Sequence, residues 1–286
     1  MTLELDEWTL KSADRSLSVS RFGGRILSFC IHNRNVLLDS GIQTGSTFWP
    51  APQVLWQWPP PPVLDHEPYS IISRSSRHID MCSGIDSALG IQLHKSFSLQ
   101  KMGARLEYTI HNVSADIVTM APWEISRVPG GLTFYAAASK PEAQSTCAAE
   151  YAAGHYWYAY QPRGLTGIPK IFANRTDGWL ANVHNRQLFL KRFPSVAVDE
   201  VAPSEAEVEI YAHADTAQPY VEVEQQGPFK AILPDRRLHW TVEWILAEVP
   251  ARVDVSVGSP GLLDLVYELL ESSSKPTERA RPSPVF

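Results

Sequence analysis

The chain is poor in cysteine. Its 286 residues hold three, Cys30, Cys82 and Cys147. They are far apart and odd in number, so they form neither a disulfide framework nor a metal-ligand spacing, and a reducing, cytoplasmic setting is expected. Long apolar runs are lacking too. No stretch reaches the roughly 18 apolar residues of a membrane span. The charged opening segment, residues 1–16, has no signal-peptide core, so the sequons at Asn112 and Asn174 carry no weight. Excess positive charge is absent: 25 Lys and Arg against 31 Asp and Glu leave −6. That argues against a general nucleic-acid surface. Gly23-Gly24 reads as a turn and not as a phosphate loop, and there is no serine elbow, HExxH or CxxC. The nine histidines form no metal cluster. Neither a metal nor a cofactor is expected.

What is present is aromatic and Pro-rich. Nine Trp and 22 Pro accompany 44% hydrophobic residues. This suits a substantial core built from many short segments. The length allows two domains or one large β domain. No linker interrupts residues 1–258, which favours the second, and period-2 alternation dominates. Leu106, Tyr108 and Ile110 oppose Arg105, Glu107 and Thr109; Val208 and Ile210 oppose Glu207 and Glu209; Trp240, Val242 and Trp244 oppose His239, Thr241 and Glu243. Such segments are half-buried strands of antiparallel sheets. Further strands are predicted at 15–20, 25–31, 69–74, 91–99, 117–125, 131–137, 179–184, 187–193 and 219–224. Residues 31–38 and 183–190 echo each other and read as hairpins, with Asn tolerating φ > 0. One helix is predicted over 259–271, with Ser259 as N-cap, Pro260 at the first position and a stripe of Leu262, Leu263, Val266, Leu269 and Leu270. It is expected on a sheet edge or an open end. The division is therefore a β domain over 1–258, the helix, and a disordered tail over 272–286.

Five segments can carry chemistry. Phe48 to Trp58 places Trp49, Trp56 and Trp58 among prolines, beside Gln53. It is either a rigid wall on which sugar rings stack or a core plug under a loop. Pro122-Trp123 inside a strand implies an edge or a bulge that re-aims side chains. Tyr151 to Tyr160 contains His155, a possible general acid or a solvated loop residue. Glu222 and Glu224 share one strand face, where one carboxylate can raise the pKa of the other, or both simply face solvent. Asp177-Gly178 is a turn, and Lys191 and Arg192 point to opposite faces, so only one of them can reach a cleft.

In order along the chain these segments resemble a known family. Gly23-Gly24-Arg25-Ile26-Leu27-Ser28-Phe29, the turn at Asn33 and Val36-Leu37-Leu38 look like the opening of galactose-mutarotase-like proteins. Trp49-Pro50-Ala51-Pro52-Gln53, Trp58-Pro59-Pro60, Trp123-Glu124-Ile125, Asp177-Gly178-Trp179, Leu190-Lys191-Arg192-Phe193 and Tyr220-Val221-Glu222-Val223-Glu224 resemble a bacterial family of unknown function, the DUF4380 type. The resemblance spans about residues 15–248. It implies an all-β antiparallel supersandwich with a carbohydrate site on its concave face. Epimerases of this fold open and reclose a sugar ring with a glutamate base and a histidine acid. Counted back from Gly227-Pro228, Glu222 matches that base, with Glu224 as the alternative. Trp123 stands where the motif histidine would be, and Trp49-Pro50-Ala51-Pro52 replaces an Arg-containing segment.

The expectation is therefore recognition of a saccharide or sugar-like small molecule in a Trp-lined cleft, with aldose or hexose epimerase (mutarotase-like) activity as its enzymatic form. Glu222 is the candidate base and His155 the candidate acid. Trp49, Trp58 and Trp123 form the platform, and Gln53, Lys191 and Glu224 make polar contacts. Neither nucleic acid nor a membrane is an expected partner. The rival is a non-catalytic structural or interaction sandwich that has lost the acid.

Overall fold

The alternation is kept in three dimensions. Leu106, Tyr108 and Ile110 of Gly103–Asn112 are buried, as are Trp240, Val242 and Trp244 of Arg237–Glu248. The two strands pair antiparallel, with Trp240 opposite Tyr108. The computed structural model describes residues 6–41, 44–143 and 147–274. Among these, the strands form two sheets, of eleven and ten strands. Every pairing within them is antiparallel.

The first sheet runs, side by side, through Ile26–Ile31, Ser46–Ala51, Val118–Val128, Val221–Gln226, Val208–Ala212 and Lys170–Ala173. The second includes Trp179–His184, Gln187–Arg192, Arg237–Glu248, Gly103–Asn112, Ile91–Leu99 and His78–Asp86 in that order. Their inner faces meet in one large core, where Phe48, Val223 and Ile210 of the first sheet join Tyr108, Phe189 and Trp244 of the second. Phe48 stacks on Tyr108 with centroids 4.2 Å apart, and Phe189 meets Trp244 edge-on at 4.9 Å.

Two expected hairpins form, with His32 and Asn33 at φ 49° and 61°, and Asn185 and Arg186 at 47° and 58°. Eight strands among the described residues escape prediction, and three of them show a local reason. Ser46–Ala51 contains Pro50. His78–Asp86 carries a bulge between Cys82 and Ile85, at Ser83-Gly84, which breaks the period of two. His155–Ala159 is too uniformly aromatic to show a period. Pro122 lies on a central strand and not on an edge. The neighbour changes beside it: Val221–Gln226 ends opposite Trp123, and Lys230–Ile232 begins opposite Met120. Pro122 occupies the gap, so no ladder bond requires the N–H it lacks.

The helix runs Pro260–Ser274, so Ser272 to Ser274 extend it beyond the expected end; the rest of the expected tail, 275–286, lies outside the described residues. Ser259 caps it, its Oγ accepting from the Leu262 N–H at 3.3 Å. The helix covers neither an edge nor an open end. Leu262, Leu263 and Val266 pack on Trp179, Ala181, Val183, Leu188 and Leu190, on the outer face of the second sheet. These strands are apolar on both faces, so their outer side must also be buried. No helix of the described residues is long and apolar enough to cross a membrane.

Candidate functional site

The first sheet turns a second set of side chains away from the core. Register fixes their neighbours. Trp49 lies opposite Trp123, Arg127 opposite Glu222, Glu222 opposite Tyr211, and Tyr211 opposite Lys170. Five strands thus carry polar and aromatic groups side by side across the outer face. These residues line a cleft of about 420 Å³, together with Gln53, Trp58, Ile168 and Tyr220. A hollow of about 460 Å³ lies elsewhere, at Arg105, Arg192, Phe193 and Glu243. Its guanidiniums already face Glu243, and its one ring, Phe193, is buried.

The aromatic wall is built around Trp49. Its indole meets those of Trp56, Trp58 and Trp123 edge-on, at 5.5, 6.1 and 5.7 Å. Trp49 Nε1–H donates to Asp65 Oδ1 at 2.8 Å, and Trp56 Nε1–H to the Pro50 carbonyl at 2.8 Å. Asp65 ends a short helix, Pro62–Asp65, within the Pro-rich segment, and faces Arg25 at 3.3 Å. Trp49 and Trp123 are 4% and 3% exposed, whereas Trp58 is 58% exposed. The segment is therefore both core and wall: Trp49 and Trp123 pack with Ala51, Ala121, Ile125 and Ala202, while Trp58 offers its surface outward. Gln53 is anchored through its backbone N–H to Glu205 at 2.7 Å.

Charges line the floor. Arg127 Nε–H donates to Glu222 Oε1 at 2.8 Å and Nη1–H to Thr47 Oγ1 at 3.1 Å. Its guanidinium also lies 5.5 Å from the Trp49 ring. The Lys170 ammonium pairs with Glu209 and, at 3.3 Å, with Glu224, and lies 5.2 Å from the Trp123 ring. Glu224 is fully buried and accepts from Trp123 Nε1–H at 2.8 Å. Burial pushes its carboxyl up to about 8, with Lys170 opposing and the Glu209 and Glu222 charges adding to the rise. Burial works against the Lys170 ammonium as well, but Glu224 and Glu209 outweigh it and raise its pKa. Tyr211 is raised by burial and then by Glu222, so its phenol stays protonated. Tyr211 Oη is 3.3 Å from His213 Nδ1, and the His213 ring stacks on Tyr220 at 4.3 Å.

Of the residues singled out in the sequence, Trp49, Gln53, Trp58, Trp123 and Glu222 come together at the cleft. Glu224 lies beneath it. Two do not reach it. His155 sits in the second sheet beside the terminal helix, with Nδ1 2.8 Å from the Ala153 carbonyl oxygen and Nε2 2.8 Å from Tyr267 Oη. Lys191 is turned inward between the sheets, against Glu124 at 2.8 Å, Ser126 Oγ at 3.1 Å and the Val223 carbonyl at 2.9 Å. Its strand exposes an inner and an outer face, and Lys191 takes the inner one. Its neighbour Arg192 faces outward to Ser273. The cleft cations are Arg127 and Lys170. Lys170 had no warning in the sequence, because Lys170–Ala173 is a four-residue strand with too little alternation to read.

A family model described as a domain of unknown function, DUF4380, matches residues 53–247. No curated protein matches the sequence. Solved structures match the fold. A galactose mutarotase-like protein from Lactobacillus casei superposes with a TM-score of 0.59 at 8% identity, over 84% of this chain and 100% of that one. A galactose mutarotase related enzyme from Lactobacillus acidophilus gives 0.64 at 6% identity, over 88% and 100%. A TPR-domain containing protein from Parabacteroides distasonis gives 0.61 at 12% identity, over 96% of this chain and 50% of that one. At such identities the likeness is one of fold: the chain is a mutarotase-like β-sandwich.

Proposed function

The chain belongs to the DUF4380 family, and we propose that it binds a saccharide in the aromatic cleft, with Glu222 as the base of a mutarotase-like ring opening. The observation that carries this reading is the cleft itself. Its 420 Å³ volume suits a monosaccharide or a small oligosaccharide end. Its walls combine indole surfaces with hydrogen-bonding groups, the pairing that a sugar needs for its C–H faces and its hydroxyls. The fold shared with proteins named for galactose mutarotase supports the same ligand class.

In the enzymatic form, Glu222 takes the proton of the anomeric hydroxyl. The bond from the anomeric carbon to the ring oxygen breaks, and the ring oxygen takes its electron pair and a proton. Tyr211, the cross-strand partner of Glu222, donates that proton in place of the histidine expected from the sequence. Rotation of the freed aldehyde and the reverse steps give the other anomer, returning both protons. A positioned acid or base contributes about 10²–10⁴-fold. A second reading, binding without catalysis, is favoured by one contact: Arg127 donates to Glu222 Oε1 at 2.8 Å, so one oxygen of the candidate base is already engaged.

Saturation-transfer NMR against a panel of monosaccharides tests binding, and signals from several sugars with competition among them are expected. The absence of any signal overturns the reading. For a sugar that binds, NMR exchange between anomers separates the two forms. Wild type faster than Glu222→Gln by about 10²-fold or more supports catalysis, and equal rates remove Glu222 as the base.

A further inference from the structure

The charges around the cleft are matched within the protein, and carboxyl groups outnumber cations. Four carboxylates, Glu205, Glu209, Glu222 and Glu224, surround two cations, Arg127 and Lys170. Each cation is already engaged: Arg127 by Glu222 and Thr47, Lys170 by Glu209 and Glu224. The side chain of Arg127 is 1% exposed and that of Lys170 is 15% exposed. An incoming phosphate or carboxylate would have to draw one of them away, which strips a buried carboxylate of its counter-charge.

The carboxylates also act on one another. Burial raises Glu205, Glu209 and Glu224, and a neighbouring carboxylate adds to each rise: Glu224 on Glu205, Glu205 on Glu209, and both Glu209 and Glu222 on Glu224. One more negative charge beside them adds a like-charge penalty. What the protein leaves without a partner is of the opposite kind. Glu222 is 16% exposed, and among the described residues its Oε2 takes part in no hydrogen bond or ion pair. Around it, Trp49, Trp58, Trp123, Tyr211 and Tyr220 line the same cleft. Aromatic faces carry negative potential and attract cations, as Arg127 over Trp49 and Lys170 over Trp123 already do.

We infer that the cleft selects an uncharged or amino sugar and rejects the phosphorylated and carboxylated forms of the same sugar. This rests on the saccharide reading above and narrows its ligand class. An amino group is protonated near neutral pH and would meet Glu222 Oε2 within the aromatic wall. A neutral sugar would place a hydroxyl donor there.

The test is titration calorimetry at low ionic strength with three matched series, glucose, galactose and mannose, each as the parent sugar, the 2-amino sugar, the 6-phosphate and the uronate. In the series that binds, the amino sugar is expected about five- to tenfold tighter than its parent, and the two anionic forms at least about tenfold weaker. In Glu222→Gln the amino preference should fall to within about twofold of parity. Anionic forms binding as tightly as the parent overturn the inference while leaving the saccharide reading intact. An amino preference unchanged in Glu222→Gln overturns it as well. Binding by no member of any series overturns both.

Discussion

Arg127 and Glu222 face each other across neighbouring strands, and the hydrogen bond between them is 2.8 Å long. Their exposure is unequal, 1% against 16%. The cost of breaking the pair therefore depends on which charge is left behind. Glu222→Leu strands a buried guanidinium and is expected to cost about 3 kcal/mol or more. Arg127→Met leaves a carboxylate that water can reach and costs less. Glu222→Gln keeps an acceptor for Arg127 and costs about 1 kcal/mol. Urea midpoints should be lowest for Glu222→Leu, higher for Arg127→Met and highest for Glu222→Gln.

Trp58 and Trp123 share the wall but not its burial. Trp58→Ala removes a ring that is 58% exposed, so stability should move by less than about 1 kcal/mol while sugar affinity falls about tenfold. Trp123→Ala opens a cavity where a residue is 3% exposed and should cost about 3–5 kcal/mol. Chemical denaturation and ligand titration on the same samples check both.

Buried ionisable groups give the stability curve two limbs. Glu224 moves from an ordinary 4.5 to about 8. Across that interval the folded chain keeps a proton that the unfolded chain has lost, so this group makes stability fall as pH rises from about 4.5 to 8. Lys95 is buried, donating to the Gly23 carbonyl at 2.6 Å. Burial is the main cause that brings it down from 10.5 to about 7, with Asp65 opposing and Arg25 assisting. There the folded chain releases its proton first, so this group makes stability rise from about pH 7 to 10.5. Glu224→Gln should flatten the falling limb, and Lys95→Met the rising one, in urea midpoints measured from pH 5 to 10.

His155 separates packing from function. It touches Tyr267 of the terminal helix at 2.8 Å and lies 5.7 Å from the Trp179 ring. His155→Ala should cost about 1–2 kcal/mol through lost buried bonds and leave sugar affinity unchanged. An affinity drop beyond about threefold, with the variant folded, would tie this region to the cleft.

The legible parts of the molecule are those governed by local periodicity and local chemistry. The alternation of Leu106, Tyr108 and Ile110 and the Ser259-Pro260 helix start need only a few residues of context. The tryptophan segment was legible only as either a wall or a core plug, and the structure makes it both, with Trp49 4% and Trp58 58% exposed. The strand containing Pro50 was not legible. A proline reads locally as an interruption, and only the register with Pro122 shows that the ladder makes no demand there.

The sequence by itself determined that this is an antiparallel β protein with a capped terminal helix, and it set which residues share each strand face. It also singled out Trp49, Gln53, Trp58, Trp123 and Glu222. The tertiary structure decided which face looks outward. Alternation has two solutions on every strand, and only packing against a partner sheet selects one. That selection buried Lys191 against Glu124, left His155 under the helix, and brought Lys170 to Glu224. The contact between Trp123 and Glu224 spans 101 residues of chain. No local pattern encodes such a meeting; it follows from closing the two sheets on one core.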